Sequence, residues 1–245
     1  MKRRLFVASA ASSALAACSQ IGTALNGGGF HRLLTLPEPL NHALIGTRGL
    51  AQTYPESAIS PNFPVNSLPT PSSAQYLGYV ARHFQSYRLV VDGSVERPQA
   101  FSLDRLWRMP QTSEITRHDC VDGWSAIARW GGVRLSELLA IAGPRKDARY
   151  IVFYCMDRDE RSIQYYESLD LDQANHPQTL LALRMNGASI PLDYGAPVRL
   201  RVPTQLGYKS AKWVQHIEVV GTFAKLYGGN GGYWEDRGYE WYAGI

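Results

Sequence analysis

The sequence predicts a single α+β domain, β-rich with mixed sheets and short helices. Three observations carry that expectation. Short runs with strand character outnumber helical ones, the two kinds do not alternate as a doubly wound sheet requires, and no repeat or linker interrupts residues 74–245. At 245 residues and 45% hydrophobic, the chain has ample apolar mass for one core.

The elements follow in order. Residues 1–18 read as an export signal: Lys2-Arg3-Arg4 is basic, Leu5 to Ala17 is apolar or small, and Leu15-Ala16-Ala17-Cys18 has the form of a lipobox. As a helix, Leu5–Ala17 would span roughly 20 Å, short of a hydrocarbon core of about 30 Å, so it is not expected to cross a membrane. Arg3-Arg4-Leu5-Phe6 is similar to the twin-arginine signal, and Cys18 is the expected lipidation point. Residues 19–73 read as a tether, with Gly27-Gly28-Gly29, followed by an extended arm whose prolines exclude regular helix. The folded domain is expected over 74–245, with the arm contributing from about residue 60.

Within the domain, Tyr87 to Val95 alternates around Asp92-Gly93, a hairpin signal. Ser102 to Arg108 reads as a short helix stopped before Pro110, and Glu114-Ile115-Thr116 as strand. Leu135, Leu138, Leu139 and Ala142 mark one helical face closed by Gly143-Pro144. Arg149 to Cys155, Pro197 to Pro203 and Val214 to Val220 read as strands, and Asn186-Gly187 as a second turn.

Composition excludes some functions. The formal charge is +4, and Lys2, Arg3 and Arg4 supply three of those charges, so the remainder is nearly neutral and gives no basis for nucleic-acid binding. With Cys18 in the leader, Cys120 and Cys155 remain. A CxxC pair or a spaced Cys/His quartet is lacking, which argues against structural zinc. A disulfide, a metal thiolate at Cys120, and a Cys/His hydrolase using His118, His176 or His216 as base all remain open on the residues alone.

Five ordered motifs narrow the choice: Cys-Val-Asp-Gly-Trp-Ser at 120–125, Trp130-Gly131-Gly132-Val133, Met185-Asn186-Gly187, Gly195 to Leu200, and Gly207 to Trp213. In this order and spacing they resemble the sulfite oxidase family of molybdopterin enzymes, above all its exported bacterial branch, over roughly residues 60–245. The resemblance implies the sulfite-oxidase molybdopterin-binding fold and a molybdenum–molybdopterin cofactor, with Cys120 as the protein's metal ligand. A soft thiolate suits such a metal. It also implies cofactor contacts by Arg199, by the loop Ser210-Ala211-Lys212, by Asn66 in the arm, by Cys155 and by Tyr194. Arg117, three residues before the thiol, is the expected catalytic cation.

Departures from the family pattern shape the expected chemistry. Sulfite oxidases flank the asparagine matched by Asn66 with arginine and histidine, where this chain has Val65 and Ser67; relatives carry Asn or His at Tyr194. The dimerisation domain that sulfite oxidases append is not expected after Ile245. The expected work is therefore two-electron oxo transfer to a small-molecule S-oxide or N-oxide rather than sulfite oxidation. No CxxCH heme motif or nucleotide fingerprint is present, so electrons are expected from a separate protein: a membrane heme or quinone-linked subunit, or a soluble cytochrome. The expected location is the periplasm, or the outer side of the cytoplasmic membrane if Cys18 carries lipid. The alternative is a non-catalytic exported lipoprotein that uses the fold as a binding module, a role for which the Cys120 thiol has no purpose.

Overall fold

Among the described residues ten strands make two sheets that meet at a cleft, and the sequence explains most of their boundaries. The computed structural model describes residues 49–65 and 68–245. The leader with Cys18, the tether to residue 48, and the pair Asn66 and Ser67 lie outside the described residues.

The first sheet has the order β2-β1-β10-β5-β6, from Gln99–Ser102, Arg88–Gly93, Val214–Val220, Tyr150–Arg158 and Gln164–Asp170. Strands β1 and β10 pair in parallel, Val90 opposite His216, and the other neighbours are antiparallel. The second sheet has the order β3-β4-β7-β8, from Thr112–Asp119, Ser125–Arg134, Leu180–Met185 and Ala188–Ser189, with β9 (Arg199–Arg201) added along β7. The helices are α1 (Ala74–Ala81), α2 (Leu103–Arg108), α3 (Leu135–Ala142) and the single turn α4 (Leu171–Ala174).

Local chemistry sets these limits. Ser102 caps α2, its Oγ accepting from the Arg105 amide at 3.1 Å, and Met109 turns extended before Pro110. The four apolar positions of α3 are all buried, each leucine contributing roughly 1.5–3 kcal/mol, and Gly143 closes the helix with φ +71°. Asn186-Gly187 turns β7 into β8 with φ +51° and +87°.

Two expectations need correction. Asp92-Gly93 is not a two-residue hairpin turn: β1 runs through Gly93, which pairs with Val219, and residues 94–98 make the connection to β2. The glycine is required by that approach, since a Cβ there would sit 2.3 Å from the Val219 carbonyl oxygen. The strand read over Pro197 to Pro203 shrinks to Arg199–Arg201, because pairing with β7 ends at Leu180 opposite Arg201.

The main core draws on both sheets and on helices α1 to α3, around Tyr87, Phe101, Leu138, Phe153 and Trp213. A smaller cluster around Trp130 and Phe63 backs the second sheet. Phe63 belongs to the arm, which is tied to the second sheet: the Tyr54 amide donates to the Ile115 carbonyl at 3.0 Å and the Ser60 amide to that of Ile127 at 2.9 Å.

Candidate functional site: a buried cationic cleft beneath Cys120

Cys120 stands just past β3, in the turn that returns the chain as β4. Its amide donates to the Trp124 carbonyl at 2.9 Å, the Gly123 amide returns a bond at 3.1 Å, and the half-buried thiol reaches Asp122 Oδ2 at 3.4 Å. The thiol opens on a cleft enclosing about 550 Å³, solvent mouth included, whose other walls include Asp157, Arg199, Ser210, Ala211, Lys212 and Trp234.

Beneath the cleft lies a concentration of positive charge. Arg199 and Arg201 point to one side of β9, both nearly sealed from solvent, with their guanidinium carbons 5.0 and 4.9 Å from the Trp130 ring centre. Arg199 donates from Nη1 to the Tyr194 carbonyl at 3.1 Å, leaving its Nε without a partner. Arg201 reaches His118 Nδ1 at 2.9 Å, Ser210 Oγ at 3.2 Å and Thr116 Oγ1 at 3.3 Å. Lys212 donates to the Asp193 carbonyl at 3.2 Å and lies over the Trp213 ring at 4.0 Å. Burial pushes the pKa of Arg199 down to about 10 and, with help from Arg199, that of Arg201 to about 9 and of Lys212 to about 7.

The loop after β9 is built for close approach. Gly207 opens a 3-10 turn, and a Cβ there would sit 2.4 Å from His118 Nε2. Ser210 Oγ accepts from the Val202 amide at 3.1 Å, which ties the loop back to the end of β9.

The structure brings Cys120, Arg199, Ser210, Ala211 and Lys212 to one cleft. Tyr194 contributes through its backbone, since its hydroxyl is spent on the Phe63 carbonyl at 2.5 Å. Cys155 is wholly buried in the main core, where burial pushes its thiol well up. Arg117 is not brought in: alternation along β3 turns it outward, where it pairs with Asp119 Oδ1 at 2.9 Å beside Tyr54. Asn66 lies outside the described residues.

The other cysteine readings lose their footing. Cys120 and Cys155 are not joined in a disulfide. His118 is buried, spends Nδ1 on Arg201, and has its pKa lowered by burial and by the neighbouring cations, so it is no base for the thiol. His176 bonds the Gly49 carbonyl and His216 pairs with Asp92, each committed elsewhere. Asp157, Arg201 and the aromatic residues Tyr165, Tyr208, Trp234 and Tyr239 also line or support the cleft and were not singled out in the sequence. The Arg-Leu-Arg spacing at 199–201, which puts two guanidiniums on one strand face, was the available signal.

A cluster of buried cations with an unpartnered guanidinium N–H fits an anionic ligand. Among the described residues no group of three or more His, Cys, Asp or Glu could hold a metal by itself, so a metal at Cys120 would take its remaining donors from the ligand. These features fit a phosphate-bearing pterin that carries its own sulfur donors.

Comparison with known proteins agrees. Residues 77–226 match the family described as the oxidoreductase molybdopterin binding domain. The chain belongs to that family. It is a molybdenum–molybdopterin-dependent oxidoreductase, and the mixed sheets with few short helices are the fold of these proteins. One relative, 41% identical over 195 residues, covers 80% of this chain and 68% of its own length, and is named "Putative protein-methionine-sulfoxide reductase subunit YedZ1" of Azospira oryzae. Another, 37% identical over 158 residues, is the protein-methionine-sulfoxide reductase catalytic subunit MsrP of Ralstonia nicotianae. That match takes in 60% of this chain and about half, 47%, of the relative. Among solved structures, the sulfane dehydrogenase SoxCD of Paracoccus pantotrophus aligns with a TM-score of 0.51 at 26% identity, over 56% of this chain and 39% of that one.

Proposed function

We propose that this chain reduces a neutral S-oxide at molybdenum held by the Cys120 thiolate, with electrons from a separate protein. The observation that carries the reading is the thiol of Cys120 opening on a cleft with buried cations in its wall, one of which, Arg199, keeps an unpartnered Nε.

In this reading Arg199, Lys212 and the backbone of Ser210 and Ala211 hold the phosphate end of the cofactor. Gly207 keeps the loop against His118, and Arg201 fixes that histidine and Ser210 from beneath. Tyr194 positions Arg199 through its carbonyl and braces the arm through Phe63. Cys155 serves packing under the cleft, and Asn66 would reach the cofactor from the arm. When bound, the cofactor supplies two-electron oxygen-atom transfer. The overall reaction takes an S-oxide, two electrons and two protons to a thioether and water.

The preference for a neutral substrate rests on the mouth. Its exposed residues Val121 and Tyr239 are uncharged, and the Asp122 carboxyl stands 3.4 Å from the thiol, where it repels an oxyanion. Val65, at the place where sulfite oxidases carry a cation, is 56% exposed and offers none. Each charge-assisted bond so forgone is worth roughly 1.5–3 kcal/mol to a dianion. The names of the two sulfoxide-reductase relatives support the same substrate class, and the word subunit in both supports a separate partner. That partner would be a membrane heme or quinone-linked subunit, or a soluble cytochrome. The Arg3-Arg4 pair and the Leu15–Cys18 box support export to the periplasm, tethered there if Cys18 is lipidated. Among the described residues no helix is long and apolar enough to cross a membrane.

The test measures molybdenum and pterin per chain, then compares sulfoxide reduction by a viologen donor with sulfite oxidation by ferricyanide. We expect about one molybdenum per chain, sulfoxide turnover, and loss of that turnover in Cys120→Ser with the fold intact. Efficient sulfite oxidation without sulfoxide reduction would overturn the substrate assignment, and full turnover by Cys120→Ser would overturn the ligand assignment.

A further inference from the structure

An apolar groove lies behind the cleft, outside the residues assigned to the cofactor. It opens between α1, α2 and the turn after β8, enclosing about 820 Å³ with its solvent mouth included. Val80, Phe84, Leu103, Trp107, Ile190 and Leu192 line it. Leu192 is 40% exposed, and Leu77, one turn before Val80 on the same face of α1, is 54% exposed. Phe84 enters from a left-handed backbone, φ +59° after φ +49° at His83, a conformation uncommon for residues with a side chain. An apolar recess with a polar rim is the form of a docking site.

Two observations name the occupant. The first is the charge of the rim. Arg184 lies over the Trp107 ring, 4.6 Å from its centre, and Arg82 and His83 stand exposed where α1 ends. Arg108 on α2 is balanced by Asp104, whereas among the described residues no ion pair joins Arg82 or Arg184. Asp193, next to Leu192, accepts from Thr70 at 2.5 Å and its charge acts on Lys212. The rim therefore favours carboxylates on the partner. The second observation is continuity with the cleft, since one side chain spans the wall between them. Trp213 is wholly buried, its Nε1 donates to the Leu192 carbonyl at 2.8 Å, and its ring centre lies 4.0 Å from Lys212 Nζ, a cleft residue. A conjugated ring in contact with both sides offers electrons a short bonded path. A bilayer surface could answer the charge but cannot fill a recess, whereas a projection from a protein can.

We propose that this groove seats the electron donor, a redox protein that presents an apolar projection ringed by carboxylates, with Trp213 linking the seat to the cleft. The assignment rests on the functional reading only in that electrons come from a separate protein, and it adds where that protein binds and what its face is made of. Two electrons from the donor, which is oxidised, and two protons from solvent balance the reduction of one S-oxide to one thioether and one water.

The experiment uses the full chain and, as probe, flavodoxin, an acidic redox protein with an exposed flavin edge. Its binding to the cofactor-free chain is measured by titration calorimetry. Turnover of the cofactor-loaded chain is driven by reduced flavodoxin and, separately, by reduced methyl viologen, a donor small enough to enter the cleft itself. For the double variant Arg82→Glu, Arg184→Glu we expect flavodoxin binding about tenfold weaker, a matching fall in flavodoxin-driven kcat/KM, loss of the salt dependence of both, and unchanged viologen-driven turnover. Leu192→Asp, which places an acid in the apolar seat, should weaken binding as much. Trp213→Phe, which loses the bond to Leu192, should bind as wild type does and slow flavodoxin-driven turnover about fivefold. Thermal melting establishes that each variant folds, and the two surface arginines keep the test open if the Trp213 variant does not. Flavodoxin that fails to bind wild type, or binds the arginine variant equally well, would overturn the proposal. Wild-type flavodoxin-driven turnover in Trp213→Phe would overturn the link to the cleft. Flotation with anionic vesicles that the arginine variant loses, or self-association that Leu192→Asp abolishes, with flavodoxin binding unaffected, would assign the groove to a membrane or a second copy and overturn it as well. A loaded wild type that reduces no sulfoxide with viologen would instead overturn the functional reading, while calorimetry on the cofactor-free chain still judges the groove.

Discussion

Lys209 and Lys212 sit three residues apart on one loop, both buried, in opposite electrostatic company. Lys209 lies between Glu167 and Glu235, with its ammonium on an oxygen of each carboxylate, 2.6 Å in the case of Glu235. Burial works against its charge, but the two carboxylates outweigh it and hold its pKa up. Glu167 is pushed well above the carboxylate range by burial and by Glu235, and Lys209 between the two acids counters that push. Lys212, by contrast, has its pKa pushed down to about 7 by burial and by neighbouring Arg199, which outweigh the attraction of Asp157 and Asp193. A buried charge cluster balanced by its own residues belongs to the architecture. One that is not balanced marks where a ligand of opposite charge belongs.

The largest test of that contrast is Lys209→Met. Removing the ammonium strands two acids in the core, and the cost of breaking a buried ionic group is about 3–5 kcal/mol. Urea unfolding of the cofactor-free chain should show that loss; a change below 1 kcal/mol would mean the triad is not the clamp described. Lys212→Met should do the reverse, since it removes a cation whose charge burial disfavours. The cofactor-free protein should be as stable as wild type or more so, while cofactor retention falls by ten- to a hundredfold, about 1.5–3 kcal/mol.

A third test uses pH. Asp157 binds its proton more tightly folded than unfolded, so the folded state holds the extra proton between about pH 4 and 7, and stability falls as pH rises through that window. Asp157→Asn lacks this term. Its melting temperature minus that of wild type, both cofactor-free, should grow by several degrees from pH 5 to pH 8. Lys212 has the opposite window: its folded pKa is depressed from 10.5 to about 7, so its contribution to stability is regained as pH rises through that range. The difference between Lys212→Met and wild type should shrink from pH 7 to pH 10.

The smallest effect is expected at an exposed pair. Arg108 and Asp104 lie 2.6 Å apart on α2, both about 70% exposed, and Arg108→Ala should cost no more than about 0.5 kcal/mol in the same urea experiment. A larger cost would undercut the claim that burial, not proximity, separates the clusters.

The sequence by itself determined the elements whose signals are local. The α2 cap at Ser102, the buried face of α3 with its closing Gly143, and the strand Val214–Val220 depend on near neighbours in the chain. The motif order singled out Cys120, Arg199, Ser210, Ala211 and Lys212, which the fold gathers at one cleft. Tertiary structure alone decided the parallel pairing of β1 with β10, the running of Gly93 into β1, and the docking of Phe63 of the arm on Trp130. Each joins residues dozens of positions apart, and no periodicity records such a partner. The same holds for charge. A lysine's letter does not say whether acids reach it through the fold, so Lys209 and Lys212 look alike in the chain and differ only where Glu167 and Glu235 come to meet one of them. Arg117 was misplaced for the related reason that its distance along the chain to Cys120 says less than the alternation of β3, which sends it to the opposite face.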